Sequence, residues 1–386
     1  MPSSKKFGCG VKGLSLCHVD AGREWRGGQR QTLFLVRELK RAGWPVFLVA
    51  QKGSPLEAKA KEEGLRVISL KMKGEADLWS SLRLALIMKK KKCQLAHFHD
   101  AHSLSLGLRA ASWARVPLIL AHRRVDFPLR RNFFSRRKYG RKLDMIIAIS
   151  EGVKKVLLAG GVPAEKIRVI PSGIDFSVFD QVNDRDFLRR EFCFSADDFL
   201  VGIVAALEDH KGHSYLFQAT RIVRQHSPRI RLIVVGSGSL RLELESQVQQ
   251  LGIEDIVFFL GFREDVPRIL ASLDLFVLSS HLEGLGSSLI DAMASRLPVV
   301  ATRAGGIPEI VHHGETGLLV PPRDPEALAQ AIIELYHDRQ LASRLAQNGA
   351  DFVRSHFSAE AMAKRVVDLY QDLAQKKGVK LDGGQE

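Results

Sequence analysis

Short apolar, β-leaning runs alternate with longer amphipathic stretches along the whole chain, and this alternation limits the fold more than any other feature. In the first half the runs cover residues 14–19, 45–50, 67–70, 95–98, 118–121, 145–149 and 169–170. In the second half they cover 200–206, 232–235, 257–260, 275–278, 299–301 and 318–320. Helically spaced apolar residues fill intervals such as 32–42, 216–224, 240–251 and 326–336. Apolar strands joined through helices predict parallel sheets covered on both faces. The pattern occurs twice, so the expectation is an α/β chain of two facing doubly wound domains. A length of 386 residues suits two cores better than one. The break is expected after residues 171–180, at the polar stretch 181–190, giving domains 1–176 and 177–358. The carboxyl ends of both sheets would then line one cleft, where open α/β sheets bind ligands.

Charge divides the chain unequally. Residues 1–176 hold 35 Lys and Arg against 14 Asp and Glu, leaving 22 and 29 for the remainder. A strongly basic half beside a mildly acidic one suggests that the first half meets a polyanion: nucleic acid, an anionic bilayer or a phosphorylated saccharide. No apolar run approaches the roughly 20 residues of a membrane-spanning helix. The basic N-terminal stretch, interrupted by Lys12 and Gly13, is a poor signal peptide. Cys9, Cys17, Cys93 and Cys193 have neither metal-ligand spacing nor disulfide density. A cytoplasmic protein is expected.

The stretch 279–328 carries the most chemistry. An apolar run ends in a loop holding Glu283, a helix follows from about Gly286, and Asp291 lies eight residues after Glu283. Such a carboxylate pair suits hydrogen bonding to vicinal hydroxyls, as in a sugar ring and a ribose. A further strand ends in Gly305–Gly306, with Pro308 placed for the first turn of a helix whose bare N–H groups would accept phosphate. In the first half, His122 lies in a Leu-Ala-His-Arg-Arg run. His99 ends the fourth apolar run beside Asp100 and His102, where a hydrogen bond or a surface position fits better than a metal.

These motifs resemble the retaining glycosyltransferases of GT-B fold, family 4. The match runs through Glu283–Gly284, Asp291-Ala292-Met293-Ala294, Pro298-Val299-Val300 and Gly305-Gly306-Ile307-Pro308-Glu309. It extends to Lys211–Gly212, to the Gly-Ser-Gly-Ser-Leu-Arg stretch 236–241, and to residues 25–31, 149–154, 169–175 and 260–266. The resemblance implies that Glu283 contacts the transferred sugar, Asp291 the ribose, and Lys211 the donor diphosphate. Gly27 and Gly28 would let a loop approach the phosphates, and backbone near Gly261 and Arg263 would hold the base. His122 would lie near the reacting centre. Two departures stand out: the family usually has Glu where Asp291 stands, and often an Arg shortly before the Lys, where this chain reads Ala205-Ala206-Leu207. Arg303 is one candidate substitute for that arginine.

The expected activity is transfer of a sugar from a nucleoside-diphosphate-sugar to a saccharide or lipid-linked acceptor, in lipopolysaccharide or cell-envelope glycan synthesis. Neither metal nor cofactor is expected. The first domain would take the acceptor and the second the donor, with the last helix, about 359–375, packing back on the first. The basic, aromatic-rich segment 122–143 would face anionic lipid or a phosphorylated glycan, making the protein peripheral on the membrane's inner face. His99, Arg130, Arg131, Arg136 and Arg137 are the acceptor- or membrane-side candidates. The rival enzymes are a nucleoside-diphosphate-sugar epimerase and a sugar-phosphate synthase of the same architecture. A nucleic-acid-binding protein is the remoter rival, since no RNA- or DNA-binding module is recognisable.

Three motifs fail on context. Gly8–Gly10–Gly13 precedes the first strand, and Gly236-Ser237-Gly238 lacks the third glycine, which is Arg241. Asp184-Arg185-Asp186 has no preceding strand to present it to a metal.

Overall fold

The computed structural model describes residues 14–129, 139–140 and 142–379. The chain divides into two compact units, Met1–Gly173 with Ala359–Glu386, and Ile174–Ser358. The division at Gly173 falls slightly before the position suggested by composition. Each unit is a parallel α/β sheet.

In the first unit the strands are β1 (Leu16–Asp20), β2 (Val46–Gln51), β3 (Val67–Leu70), β4 (Leu95–Phe98), β5 (Leu118–Arg123), β6 (Met145–Ala148) and β7 (Ile167–Val169). They pair in parallel in the order β3-β2-β1-β4-β5-β6-β7. The helices are α1 (Gly27–Arg41), α2 (Pro55–Glu62), α3 (Leu78–Lys90), α4 (Ala101–Ala114) and α5 (Glu151–Ala159). Strands such as β2 and β4 are buried along their whole length, which is why they read as unbroken apolar runs.

The second unit has β8 (Phe199–Val204), β9 (Ile230–Val235), β10 (Val257–Gly261), β11 (Leu275–Leu278), β12 (Val299–Thr302) and β13 (Leu318–Val320). Their order is β10-β9-β8-β11-β12-β13. Its helices are α6 (Ser177–Asp180), α7 (Phe187–Phe192), α8 (His213–His226), α9 (Arg241–Gln250), α10 (Val266–Ala271), α11 (Ser287–Ala294), α12 (Pro325–His337) and α13 (Arg339–His356). Every apolar run identified in the sequence forms a strand, with ends moved by at most two residues. The stretch 181–190 is not all linker, because α7 begins within it. The helix expected after Gly306 is a single 3-10 turn, Ile307–Glu309.

The last helix, α14 (Ala359–Lys376), belongs to the first unit. Its Met362, Val366, Leu369, Tyr370 and Leu373 recur at helical spacing. They complete a core that also contains Leu35 and Leu39 of α1 and Leu118 and Leu120 of β5. In both sheets the strand order reverses once, between β1 and β4 and between β8 and β11. A crevice opens at the carboxyl edge of such a reversal, so these two places are where each unit presents a site.

Candidate active site

In the second unit the loops that follow β8 and β11 are stitched together. After β8 the chain makes a 3-10 turn, Asp209–Lys211, and enters α8 through Gly212. Gly212 has φ of 69°, and a Cβ there would lie 2.2 Å from the Ser279 carbonyl oxygen, so only glycine allows the two loops to touch. Ser279 Oγ donates to the Lys211 carbonyl at 3.1 Å, and the His281 amide donates to the His210 carbonyl at 2.9 Å. Lys211 Nζ is thereby held 2.6 Å from Glu283 Oε2, with the two side chains only 18% and 13% exposed. Ser280 Oγ donates to the same carboxylate oxygen at 3.3 Å.

The loop after β12 joins them, since the Gly306 amide donates to the Glu283 carbonyl at 3.0 Å. Gly306 was expected to offer that N–H to phosphate. Here it is spent on fixing Glu283, and Gly305 beside it is exposed. α11 starts from Gly286, whose φ of 91° turns the chain into a helix with no side-chain cap. In its first turn the Leu289 amide donates to the Gly286 carbonyl at 2.9 Å, and the glycine N-cap supplies no side chain. Asp291, one turn into α11, is 4% exposed. Gly261 ends β10 and its carbonyl accepts from the Gly236 amide at 2.8 Å. The Arg263 guanidinium is clamped between Asp265 and Glu191, which hold its pKa above the usual arginine value. Its charge is committed, which leaves the main chain there for any contact with a base.

The first unit builds its reversal point from rings. His18 of β1 and His97 of β4 are register partners on the two strands that flank the reversal. His99 follows β4 and His122 lies on β5. His18 Nδ1 lies 2.8 Å from His99 Nε2, His122 Nδ1 lies 3.0 Å from His97 Nε2, and His97 Nδ1 lies 2.6 Å from the Tyr370 hydroxyl of α14. Arg124 brings Nη2 to 3.1 Å from His99 Nδ1 and donates from Nη1 to the His99 carbonyl at 2.9 Å.

Donor and acceptor roles follow from these contacts. Arginine only donates, so His99 accepts at Nδ1, carries its proton on Nε2 and gives it to His18 Nδ1. The proton of His18 is then on Nε2, which is buried without a partner. Tyr370 is fully buried, and donating to His97 satisfies its hydroxyl. His97 then donates to His122, and His122 carries its proton on Nε2. Burial, reinforced by the Arg124 charge, keeps all four rings neutral: His18 is lowered to about 3, and His97, His99 and His122 lie well below the ordinary histidine value. Desolvation also lowers Arg124, to about 10, against the pull of Asp20 and Asp100.

Asp20, at the end of β1, accepts from the Gly22 amide, Gln29 Nε2 and Thr32 Oγ1, at 2.9, 3.1 and 2.8 Å. Burial and the nearby Asp100 nevertheless raise its pKa. Asp100 caps α4 and accepts from the Ala21 amide at 2.7 Å, tying the loops after β1 and β4 together.

Two expectations for the first unit change. His99 is 4% exposed and both of its ring nitrogens are engaged, so it faces neither acceptor nor membrane. Gly27 and Gly28 do not lie in a loop: they form the first turn of α1, whose N-cap, Arg26, supplies no side-chain cap. Arg130, Arg131, Arg136 and Arg137 lie outside the described residues. The ring nitrogens of His18, His97 and His99 come within 4.8 Å of one another, close enough to hold a metal ion. An ion there would have to break the His18–His99 bond beside the Arg124 guanidinium, so the donor set fits hydrogen bonding better. His18, His97, Asp20, Arg124 and Tyr370 were not singled out in the sequence. The His97-Phe98-His99-Asp100 run and Arg124 two residues past His122 were the available signals.

Residues 184–352 match the glycosyl transferases group 1 family, and residues 25–178 match glycosyltransferase family 4. A lipopolysaccharide core biosynthesis glycosyltransferase of Rhizobium meliloti is 31% identical over 252 residues, covering 65% of this chain and 68% of the relative. The UDP-Gal:alpha-D-GlcNAc-diphosphoundecaprenol alpha-1,3-galactosyltransferase of Escherichia coli is 23% identical over 94% of this chain and 98% of its own length. With other curated relatives, matching at about 30% identity, the shared stretch spans 59 to 64% of their length. In structure, the chain superimposes on Anabaena Alr3699/HepE, solved in complex with UDP and glucose, with a TM-score of 0.83 at 23% identity over 93% of this chain and 100% of that one. Two doubly wound units, superimposable on that structure, define the GT-B class of fold. The chain belongs to glycosyltransferase family 4.

Proposed function

We propose that this protein is a retaining, metal-independent glycosyltransferase that moves a sugar from a nucleoside-diphosphate-sugar to a saccharide or lipid-linked acceptor in cell-envelope glycan synthesis. The observation that carries the reading is the Lys211–Glu283 pair at the carboxyl edge of β8 and β11. An ammonium has three donors, and one bond to Glu283 leaves capacity for phosphate oxygens. As the anomeric bond breaks, charge develops on the departing diphosphate. A positioned lysine and the amides that open α11 stabilise that charge without a divalent ion. Glu283, fixed by Lys211, Ser280 and the Gly306 amide, presents its carboxylate to sugar hydroxyls. Asp291 serves the ribose and the backbone near Gly261 the base. His122 contributes a neutral N–H donor to a substrate hydroxyl. In a retaining reaction the acceptor attacks on the face the phosphate leaves, and the phosphate oxygen takes its proton.

The relatives named for lipopolysaccharide core and diphosphoundecaprenol chemistry support an envelope acceptor. Among the described residues no helix is long and apolar enough to cross a membrane. In this reading a lipid-linked acceptor is met at the membrane surface, and the protein acts peripherally. The test is a panel of UDP-, GDP- and ADP-sugars read by thermal shift, because a ligand of the native state raises Tm by mass action. One donor should raise Tm in the wild type and less in Glu283→Gln. If no sugar nucleotide shifts Tm, or if Glu283→Gln transfers sugar at the wild-type rate, the reading is wrong.

A further inference from the structure

α3 turns the wrong residues outward. A helix on the face of a parallel sheet should bury one apolar stripe and show water polar side chains. α3 does bury Leu84, Ala85 and Met88. Its outer face, however, exposes Leu78 at 59%, Trp79 at 76%, Leu82 at 42% and Leu86 at 59%. At about 100° per residue these four side chains fall within roughly a 100° arc, so they form one continuous apolar stripe. The helix is well anchored beneath it. Asp77 caps its start through the Ser80 amide at 3.0 Å, and α4 packs alongside, with Arg109 Nε donating to Ser81 Oγ at 3.2 Å. The exposure is thus a property of the folded unit. α4 also exposes Trp113, at 51%.

The charges around the stripe indicate what covers it. Arg83 is exposed beside it, and the helix runs out into Lys89, Lys90, Lys91 and Lys92, all exposed. Arg115 is exposed at the end of α4. Acidic groups are confined to the opposite end of α3, where Asp77 is engaged in the cap and Glu75 accepts from Ser105 Oγ at 2.8 Å. Leucine and tryptophan flanked by lysines match a layer that is apolar at acyl depth and anionic at its headgroups. A soluble protein partner would not call for that combination of a tryptophan, unpaired leucines and a lysine run.

We propose that the outer face of α3, with the Lys89–Lys92 run, is the surface by which this protein docks on an anionic lipid bilayer. Trp79, Leu82 and Leu86 enter the interface and the lysines contact the headgroups. The proposal rests on the glycosyltransferase reading, because a surface that holds the first unit against lipid matters most when the acceptor is lipid-linked.

The experiment is co-sedimentation of the full chain with vesicles of phosphatidylcholine, with or without 30% phosphatidylglycerol. Thermal shift with sugar nucleotides is run on the same preparations. Wild type should pellet with the anionic vesicles, lose most of that binding in high salt, and bind neutral vesicles at least ten-fold more weakly. A Trp79→Ser, Leu82→Ser, Leu86→Ser variant should lose binding by ten-fold or more. A variant carrying Lys89→Ser, Lys90→Ser, Lys91→Ser and Lys92→Ser changes only exposed side chains, and it should show the same loss even if the apolar variant folds poorly. Both variants should keep the donor-induced Tm shift. Wild-type-like pelleting of the lysine variant overturns the proposal. So does a wild type that ignores anionic vesicles, or that self-associates through α3 in sedimentation velocity. If wild type pellets but no sugar nucleotide shifts Tm, the docking surface stands and the enzymatic reading fails.

Discussion

The two reversal points occupy the same place in the same kind of sheet, yet they are built from opposite materials. In the second unit a lysine and a glutamate meet at 2.6 Å on loops that lie beyond the strands. In the first, neutral imidazoles begin on the strands themselves and are linked ring to ring, with one guanidinium at their edge. A charge pair on loops can exchange partners when a charged ligand arrives. A row of buried rings cannot gain charge cheaply, so it fixes direction instead, handing each ring a set donor and acceptor side. The contrast separates a site that answers developing charge from one that holds geometry.

The largest expected effect falls on the charged site. Lys211→Ala should reduce the transfer rate by the equivalent of about 2–4 kcal/mol, some 30- to 1,000-fold in kcat, with folding intact. A rate within two-fold of wild type would remove the lysine from the chemistry. Next comes Arg124→Met, which strips the cation from Asp20, Asp100 and His99 and should cost about 3 kcal/mol of stability, read by urea denaturation. The corresponding loss for Lys211→Ala should be smaller, about 1–2 kcal/mol, because Glu283 keeps the Ser280 hydroxyl as a partner. If the two variants cost the same, the contrast drawn here is false.

Acid should tell the two units apart as well. His18, His97, His99 and His122 have folded pKa values below the unfolded value of about 6.5, so the unfolded chain binds more protons as pH falls. Their contribution is complete above that value and is lost below it, by up to about 1.4 kcal/mol per pH unit for each ring that stays neutral. Asp20, shifted upward, works in the opposite sense. Tm should be flat from pH 8 to 7 and fall between pH 6.5 and 5, and a His18→Gln variant should flatten that fall. The smallest effect is expected from Tyr370→Phe. Losing its bond to His97 should cost about 1 kcal/mol of stability and free the tautomer of His122, with a lower kcat and an altered pH profile. An unchanged pH profile would mean that Tyr370 only packs.

What could be read from sequence follows the same division. The strands were legible because burial on both faces leaves an uninterrupted apolar run. Lys211, Glu283 and the glycines around them were legible because loops at one sheet edge carry their chemistry in short linear motifs. The histidine row was not, because its members come from β1, β4 and β5 and are tied to a helix whose Tyr370 lies 273 residues beyond His97. The sequence showed single histidines on apolar strands, each ordinarily a satisfied core residue. For His99 the sequence left open a hydrogen bond or a surface position. The structure shows Asp100 turned to its cap and His99 turned inward to Arg124. Where a helix was expected after Gly306 there is a single 3-10 turn, and the Gly306 amide at its start pins Glu283.

The placement of α14 also affects how the molecule comes into being. Residues 174–358 are nested between two pieces of the first unit, whose core lacks Met362, Val366, Leu369 and Tyr370 until the last stretch of chain is made. The second unit is continuous and can close as soon as it is synthesised, whereas the first must wait although it emerges earlier. Maturation therefore reverses the order of translation, and a chain cut short near residue 358 would retain a finished second unit attached to an unfinished first.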